Sequence, residues 1–385
     1  MYDYFIHILR SALNGTTPDA PPSGLDWEAF YRLADFHSVA NTVYYGIILL
    51  PQEQQPASAV LALFRKAMQI VLGRESMQHF ELQNVMEHME EAGIPYLPLK
   101  GWHLKHLYPR PDMRSMCDVD VLVPSHVMKQ IPALMKKCGF SLELHGENHD
   151  EYAKSQTLTT EIHWSLFPKR SPYFDYFKKY MDQAVPVTEG KQEQKLSDED
   201  FYIHLIGHMA KHFRGGGTGV RSIMDIYEYR KAYGDTLDQT YLDKELDKLG
   251  LRGFAHAAEE LAQSWFSQNP DVDRNSHPKM ALHILSVGTY GRMDVGVSSA
   301  ISENDLSKKR YLLQRFFPNL TFMQMQYRIL EKLPFLLPVF WVVRGFRSIF
   351  LRTDKFKNEL HSIRTIDEQE RNHIKEIWID SGLQD

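Results

Sequence analysis

The chain has 385 residues, and its hydrophobic content of 43% with 12% aromatic residues predicts a well-packed globular protein of about two or three domains. Its formal net charge of −5 excludes a global attraction to nucleic acid or anionic lipid, so we expect no nucleic acid partner, although a local basic patch is compatible with this charge. Two cysteines, Cys117 and Cys138, are too few for a disulfide framework and favour a cytoplasmic protein.

Apolar residues recur at helical spacing over about the first 90 residues, and prolines break the pattern at 15–24 and at 51–56. The longest periodic run covers 60–91 and is followed by Gly93, as is common where a helix ends. The N-terminus has neither a basic start nor a long apolar run, so we expect no signal peptide. These features predict an N-terminal helical region over 1–92.

The pattern changes after residue 93, where short apolar runs alternate with turns. We predict strands at 96–99, 119–123, 140–145 and 155–164, with helices at 101–108 and 125–138. Ser125 is a candidate cap for the second of these helices, and Gly139 a candidate stop. The order of elements predicts a small α/β core with a mixed sheet over 93–170.

Helical periodicity returns from about residue 197, where Ser197 and three acidic residues resemble a capping box. Because 285–308 carries only weak periodicity, we predict a long connection there. The remaining pattern predicts a C-terminal helical region over 171–385, with helices at 197–212, 222–233, 239–249, 253–267, 319–333 and 365–381. The predicted fold class is α+β, a small mixed-sheet core flanked by N-terminal helices and a larger C-terminal helical region.

An apolar run covers 333–343, and it is too short to span a bilayer and contains two prolines. Five basic residues follow it, Arg344, Arg347, Arg352, Lys355 and Lys357. We favour a buried connection within the C-terminal core, since most such runs are core. The alternative is a weak membrane-surface contact through 333–357.

The sequence Asp118-Val119-Asp120 opens the second predicted strand, and purely apolar residues follow it. A strand repeats its side-chain direction every two residues, so both aspartates share one face. Two adjacent carboxylates repel each other unless a cation joins them, and a hard divalent cation such as Mg²⁺ suits carboxylate oxygens. The pair predicts a metal site for phosphoryl-transfer chemistry.

Two further elements complete a candidate constellation. Lys100 and Gly101 lie at a predicted strand-to-helix turn, where a glycine permits close approach of a phosphate and a lysine supplies a charge for its oxygens. Glu161 and His163 share one face of the last predicted strand. A third carboxylate beside an aspartate pair can hold a metal ion or act as a base. We expect Cys117 to face the opposite side of its strand as a core thiol.

His204, His208 and His212 are spaced four residues apart, so they share one face of a predicted helix. They lack the glutamate of a metalloprotease motif, and we favour buried histidines, with His212 as a candidate for the acceptor cleft. The glycines at 215–217 follow a helix, which excludes a dinucleotide-binding turn and indicates a mobile loop near the cleft.

Residues 97–101, 107–109 and 113–123, followed by Gly139-Phe140 and Glu161-Ile162-His163-Trp164, resemble the uncharacterised nucleotidyltransferase family of the polymerase-beta-like superfamily. The resemblance is specific over about 94–166 and extends more weakly to the N-terminal helices and 204–225.

The resemblance implies Mg²⁺-dependent transfer of a nucleoside monophosphate from an NTP to a hydroxyl of a small molecule, saccharide or protein. It implies that Asp118, Asp120 and Glu161 are the catalytic and metal-binding residues, with two Mg²⁺ ions. The nucleotide would be held by Lys100, Gly101, Arg114, Ser115 and His163. In the broader superfamily the first turn carries Gly-Ser, whereas here Lys100-Gly101 precedes Trp102, and Arg114 or Ser115 could replace the absent serine.

The absent serine leaves a second hypothesis open, a catalytically inactive nucleotide-binding or regulatory protein on the same fold. A third hypothesis is a membrane-surface enzyme acting on lipid-linked sugars, and it depends only on the apolar and basic residues at 333–357. The sequence names a reaction class and leaves the nucleotide base and the acceptor open.

Overall fold

A computed structural model describes residues 1–155, 158–289, 291–303, 308–327, 329–351, 363 and 368–383. It confirms an α+β fold in which helices flank a five-stranded mixed sheet. Four helices precede the sheet, α1 (Tyr2–Asn14), α2 (Trp27–Phe36), α3 (Ala40–Ile47) and α4 (Ser58–Glu91). The predicted stop after α4 is confirmed, since Gly93 has a φ of 65°, the left-handed conformation that glycine adopts at little cost.

The five strands are β1 (Leu97–Pro98), β2 (Asp118–Leu122), β3 (Ser141–His145), β4 (His149–Ser155) and β5 (Leu158–His163). They lie in the order β1-β2-β5-β4-β3, with β2 and β5 parallel and the other pairs antiparallel. The mixed sheet was predicted, but β4 was missed. Its polar residues hide an alternation in which Asp150 and Tyr152 are buried.

The helices inside the core are shorter than predicted. They are α5 (Gly101–Leu104) and α6 (Ile131–Lys137), and a separate 3-10 turn at Ser125–Val127 precedes α6. Ser125 lies inside this turn, where no side-chain capping bond forms, so its predicted capping role is wrong. Gly139 follows α6 with a φ of 85°, which confirms the predicted stop.

After the sheet the chain is mainly helical, as predicted. Ser197 caps the helix that begins at Asp198, because its hydroxyl accepts a hydrogen bond from the amide of Asp200 at 3.0 Å. The predicted connection over 285–308 is wrong, since three helices overlap it. The helices are α7 (Phe174–Phe177), α8 (Tyr180–Gln183), α9 (Asp198–Gly215), α10 (Val220–Tyr233), α11 (Gln239–Lys248), α12 (Arg252–Phe266), α13 (Pro278–Val287), α14 (Met293–Glu303), α15 (Lys308–Phe316), α16 (Leu320–Gln326), α17 (Ile329–Lys332), α18 (Leu337–Leu351) and α19 (Glu368–Asp380).

A small two-stranded ribbon, β6 (Val185–Pro186) with β7 (Gln194–Lys195), lies between α8 and α9. It adjoins the main sheet through a bridge between Tyr96 and Glu193. The remaining 3-10 turns are at Gln52–Gln54, Pro111–Met113 and Pro334–Leu336.

Two large hydrophobic cores organise the described residues, besides a minor cluster around α14. The larger core joins the N-terminal helices to the C-terminal ones, for example through Phe5 of α1 and Phe266 of α12. The smaller core lies beneath the sheet and includes Val121, Ile162 and, from α4, Val85. Because α4 contributes Phe64 to the larger core and Val85 to the smaller, it fixes the sheet against the helices. The three-part division at 92 and 170 stays a prediction.

The apolar run over 333–343 is not a buried connection. It forms the turn before α18 and the first half of that helix, and Phe335 is 74% exposed. Among the described residues, no helix is both long and apolar enough to cross a membrane. Residues 352–357, which carry part of the predicted basic cluster, lie outside the described residues.

Candidate functional site

The acidic residues singled out by the sequence meet on one face of the sheet. In the parallel pairing of β2 with β5, Asp118 lies opposite Thr159, Asp120 opposite Glu161, and Leu122 opposite His163. Val119 and Val121 point to the other face and are buried in the smaller core. The alternation of side chains along the strand thus directs the two valines into the smaller core and both aspartates to the opposite face of the sheet.

Asp120 is the centre of this arrangement. Lys100 Nζ lies 3.3 Å from Asp120 Oδ2, and His163 Nε2 lies 3.0 Å from Asp120 Oδ1. The same His163 nitrogen is 3.1 Å from Glu161 Oε2. Two cationic or hydrogen-bonding groups therefore face the two carboxylates, and this partly offsets the repulsion between them.

The two aspartates have opposite pKa shifts. Burial, together with the charges of Asp120 and Glu161, raises the pKa of Asp118 to about 6. Burial also acts to raise the pKa of Asp120, but Lys100 and His163 outweigh it and hold that pKa well below its ordinary value. Burial acts to lower the pKa of His163, whereas its hydrogen bonds to Asp120 and Glu161 raise it. A crowded anionic cluster of this kind favours a cation.

The turn that carries Lys100 and Gly101 is held against β2. The amide of Leu99 donates a hydrogen bond to the carbonyl of Asp120 at 2.9 Å. Lys100 has a φ of 28°, an uncommon backbone conformation for a lysine, and it immediately precedes α5. A Cβ at Gly101 would come within 2.6 Å of the sulfur of Met116 and 2.9 Å of Arg114 Nη1. Only a glycine therefore fits this turn without displacing its neighbours.

Arg114 and Ser115, predicted to bind the nucleotide, are both engaged with other parts of the protein. Arg114 forms a two-pronged ion pair with Asp225 of α10, at 3.1 Å from Nε and 2.9 Å from Nη2. The Ser115 hydroxyl donates to the carbonyl of Ser38 and accepts from Arg221 at 3.1 Å. Arg114 still lines the site cavity, but the geometry indicates that both residues hold the segment before β2 in place. Their nucleotide-binding role stays a prediction.

A cavity of about 390 Å³ opens above the acidic face. Its volume lies within the usual range for sites that bind small molecules. On the sheet side it is lined by the predicted residues Lys100, Gly101, Asp118, Asp120, Glu161 and His163. On the helix side it is lined by residues that the sequence did not place there, among them Lys211 of α9 and Arg221 of α10.

β4 adds a histidine that the sequence analysis missed. His149 pairs with His163 across the strands, and its Nε2 lies 3.7 Å from Glu161 Oε2. Ligand atoms of His149, Glu161 and His163 all lie within 4.8 Å of one another, so this trio could hold a metal ion. The Asn148 amide nitrogen donates to the carbonyl of Ser165 at 2.8 Å and lies 3.4 Å from His163 Nδ1. The sequence did not point to His149, because this residue lies on β4, the strand that was not predicted.

The histidines of α9 divide between the core and the cavity. His204 is buried, and burial followed by the charge of Lys100 lowers its pKa to about 3. His208 and His212 line the cavity, with 3.0 Å between their Nε2 atoms. Burial lowers the pKa of Lys211 as well, and the charge of Lys100 adds to the effect. The sequence pointed to these histidines only through their spacing, and nothing in the sequence pointed to Lys211.

Cys117 is exposed and lines the cavity, so its interpretation as a core thiol is wrong. It precedes the first residue of β2, where the strand alternation does not yet apply. Cys138 is buried at the end of α6.

A mixed sheet that carries clustered carboxylates at a cavity, beside a lysine-glycine turn, is the arrangement expected of a nucleotidyltransferase. Residues 23–267 match the sequence model of a family described as uncharacterised nucleotidyltransferase, and the chain belongs to this family. The match confirms the family predicted from the motifs and shows an enzyme of the transferase class. The family description names neither an acceptor nor a metal.

One solved structure is similar to part of the chain, the solution structure of the antibiotic-resistance factor ANT(2'')-Ia. The sequence identity is 10%, the likeness covers 47% of this chain and 98% of the other, and the TM-score is 0.35. No curated protein matches the chain significantly.

Proposed function

We propose that this nucleotidyltransferase moves a nucleoside monophosphate from an NTP to a hydroxyl of a small molecule, saccharide or protein. The observation that carries the proposal is the pairing of Asp120 with Glu161, with Asp118 on the same sheet face and the cavity above them. Three carboxylates at one cavity are a costly arrangement, since like charges repel. A role in binding a cation explains why they are kept together.

The carboxylates suit Mg²⁺ because their oxygens are the ligands that this ion prefers. Burial and the charges of Asp120 and Glu161 raise the pKa of Asp118, which a bound cation would lower again. In the proposal Asp118, Asp120 and Glu161 hold the metal, with His149 and His163 beside them. When bound, Mg²⁺ would neutralise charge on the transferred phosphate and favour ionisation of the acceptor hydroxyl.

Lys100 has two tasks in the proposal. Its ammonium group lies at the carboxylate cluster, where it lowers the negative charge that a polyphosphate would meet. The same group offers three donors to phosphate oxygens. Gly101 lets this turn pack directly against Met116 and Arg114, where a larger residue would not fit, and so keeps Lys100 at the cluster.

His163 acts as a positioning residue. Its Nε2 contacts both Asp120 and Glu161, so one ring fixes the relative orientation of two carboxylates. Asn148 supports this arrangement, because its amide is oriented by the carbonyl of Ser165 and directs an N–H towards Nδ1 of the ring. That contact favours the tautomer in which Nε2 carries the proton and donates it to a carboxylate.

The acceptor enters from the helix side in this proposal. Lys211, His208 and His212 form the wall of the cavity opposite the carboxylates. Burial lowers the pKa of His212 to about 3, and the charge of Lys211 adds to this effect, so its ring is neutral at pH 7. A neutral imidazole can both donate and accept hydrogen bonds, as recognition of a hydroxyl requires.

The test is transfer of label from NTPs labelled at the α-phosphate, with Mg²⁺, across a panel of hydroxyl acceptors. Asp120→Asn should lower the rate by at least about 100-fold, as loss of a charge-stabilising group in an active site does. Glu143→Gln is the matched control, since Glu143 is an exposed carboxylate on β3 of the same sheet. Wild-type rates in an Asp118→Asn/Asp120→Asn variant would contradict the site assignment.

Calorimetry separates catalysis from binding alone. Titration of the full chain with ATP, GTP, CTP and UTP in the presence of Mg²⁺ should identify the bound base. Tight binding of one NTP without label transfer to any acceptor would favour a nucleotide sensor on the same fold instead of an enzyme.

A further inference from the structure

The segment 308–357 differs in charge from the rest of the chain. Its described residues, 308–327 and 329–351, contain seven lysine and arginine residues and one acidic residue, whereas the whole chain has 44 basic and 49 acidic residues. The segment is therefore strongly cationic although the protein is anionic overall. A local cluster of this kind attracts anionic surfaces within a Debye length, about 8–10 Å in physiological salt.

The same segment exposes an apolar stripe along α18. Val339, Val342, Val343 and Phe346 are 54%, 58%, 43% and 60% exposed. Their spacing of three, four and seven residues places them on one face of the helix. Phe335, four residues before Val339, continues the stripe from the preceding turn. A helix that packs its apolar face against a protein core would bury these residues.

The opposite face of α18 is fixed by packing. The indole nitrogen of Trp341 donates to the carbonyl of Pro318 at 2.8 Å, and its ring meets Phe317 edge to face at 5.3 Å. Arg344 donates to the carbonyl of Arg315 at 2.8 Å. Because these contacts use the Trp341 and Arg344 side of the helix, the apolar stripe faces outward.

We propose that this face of α18, with its cationic neighbours, binds the surface of an anionic lipid bilayer. α18 has 15 residues, or roughly 22 Å of helix, so it is suited to lie in the plane of the interface. Charge selects this occupant, since two copies of a segment with this net positive charge repel each other, whereas an anionic bilayer attracts both the charge of the segment and its apolar side chains. Arg347 is exposed beside the stripe and meets the lipid headgroups.

The inference is independent of the proposed reaction, because its readout is binding to vesicles and uses no nucleotide. The full chain is floated with vesicles of phosphatidylcholine and phosphatidylserine, and separately with vesicles of phosphatidylcholine alone. We expect binding to the mixed vesicles, weaker binding in high salt and little binding to the neutral ones.

Val342→Asp/Phe346→Asp should weaken binding to the mixed vesicles by at least about tenfold, because two apolar side chains leave the interface. Phe80→Asp is the matched control, since Phe80 of α4 is 69% exposed and lies far along the chain from α18. Arg347→Glu is a second variant, and it should weaken binding through charge alone. Circular dichroism confirms that each variant is folded.

Three outcomes would overturn the inference. They are failure of the wild type to bind mixed vesicles, equal binding to neutral ones, and unchanged binding by the Val342→Asp/Phe346→Asp variant. Light scattering supplies a fourth outcome that would overturn the inference. A wild-type dimer that this variant converts into a monomer would assign the stripe to an interface between copies.

Discussion

Lys100 Nζ lies 3.3 Å from Asp120 Oδ2, although Lys100 precedes the short helix α5 and Asp120 belongs to β2. The contact exists because the Leu99 amide is hydrogen-bonded to the Asp120 carbonyl, which fixes the turn beside the strand. Lys100 also has a φ of 28°, a conformation that costs a non-glycine residue about 1 kcal/mol or more. Backbone strain directly beside a half-buried carboxylate is typical of functional positions.

Lys100→Gln removes the ammonium group and keeps most of the side-chain volume. We expect KM for the NTP to rise by roughly tenfold or more, since a hydrogen bond to a charged group contributes about 1.5–3 kcal/mol. Initial rates over a range of NTP concentrations measure this. Lys129→Gln, a change at an exposed lysine between the 3-10 turn and α6, is the control. An unchanged KM would remove Lys100 from the phosphate site.

Gly101→Ala should destabilise the protein by about 1–3 kcal/mol, the usual cost of overpacking a filled site. The new methyl group would come within 2.6 Å of the Met116 sulfur, which is buried and cannot move freely. Gly73→Ala is the matched control, because Gly73 lies within α4 and a Cβ there meets nothing within 4 Å. Urea unfolding should show that the control is stabilised by roughly 0.5–1 kcal/mol. Equal stability of the two variants would show that the Gly101 turn has room.

Arg114→Met leaves Asp225 without its cationic partner, and we expect a loss of about 3–5 kcal/mol in the free energy of unfolding. Both side chains are largely buried, and Asp225 also accepts a hydrogen bond from Tyr108 at 2.7 Å. The double variant Arg114→Met/Asp225→Asn removes both charges and should recover much of this loss. Denaturant titration of the three proteins measures the coupling. Additive losses would mean that Arg114 does not stabilise the fold through Asp225.

His37 makes stability depend on pH. Burial lowers its pKa from 6.5 to about 4, although a hydrogen bond to the carbonyl of Leu285 partly opposes this. Below pH 6.5 the unfolded chain gains a proton at this residue that the folded protein accepts only near pH 4. The free energy of unfolding therefore falls as pH falls through this window, and His37 accounts for about 3 kcal/mol of the fall.

His37→Gln should flatten this dependence between pH 7 and pH 4.5, because glutamine does not titrate. Urea unfolding at both pH values measures the change. His126→Gln, at an exposed histidine, should leave the dependence as in the wild type. Equal slopes in the wild type and His37→Gln would show that His37 takes up protons equally in the folded and unfolded states. Other buried histidines, such as His283 with a pKa lowered to about 4, keep some dependence in the variant.

Local patterns in the sequence predicted much of the candidate site. Alternation placed Asp118 and Asp120 on one strand face and Glu161 and His163 on one face of another, and the pairing of β2 with β5 brings these faces together. The polar strand β4 lacked an apolar alternation, so His149 was missed. The exposed stripe of α18 was read as core, because apolar periodicity shows which residues share a face but not what that face meets.

Sequence alone determined the family, the mixed sheet and most of the sheet-side residues of the candidate site, because these depend on short-range periodicity and on a compact motif. Only the tertiary structure decided which residues contact one another across the chain. It paired Arg114 with Asp225 and closed the cavity with Lys211 and Arg221, although these residues are far apart in the chain. Such contacts follow from how α9 and α10 pack over the sheet, and the periodicity of a single helix does not encode that packing.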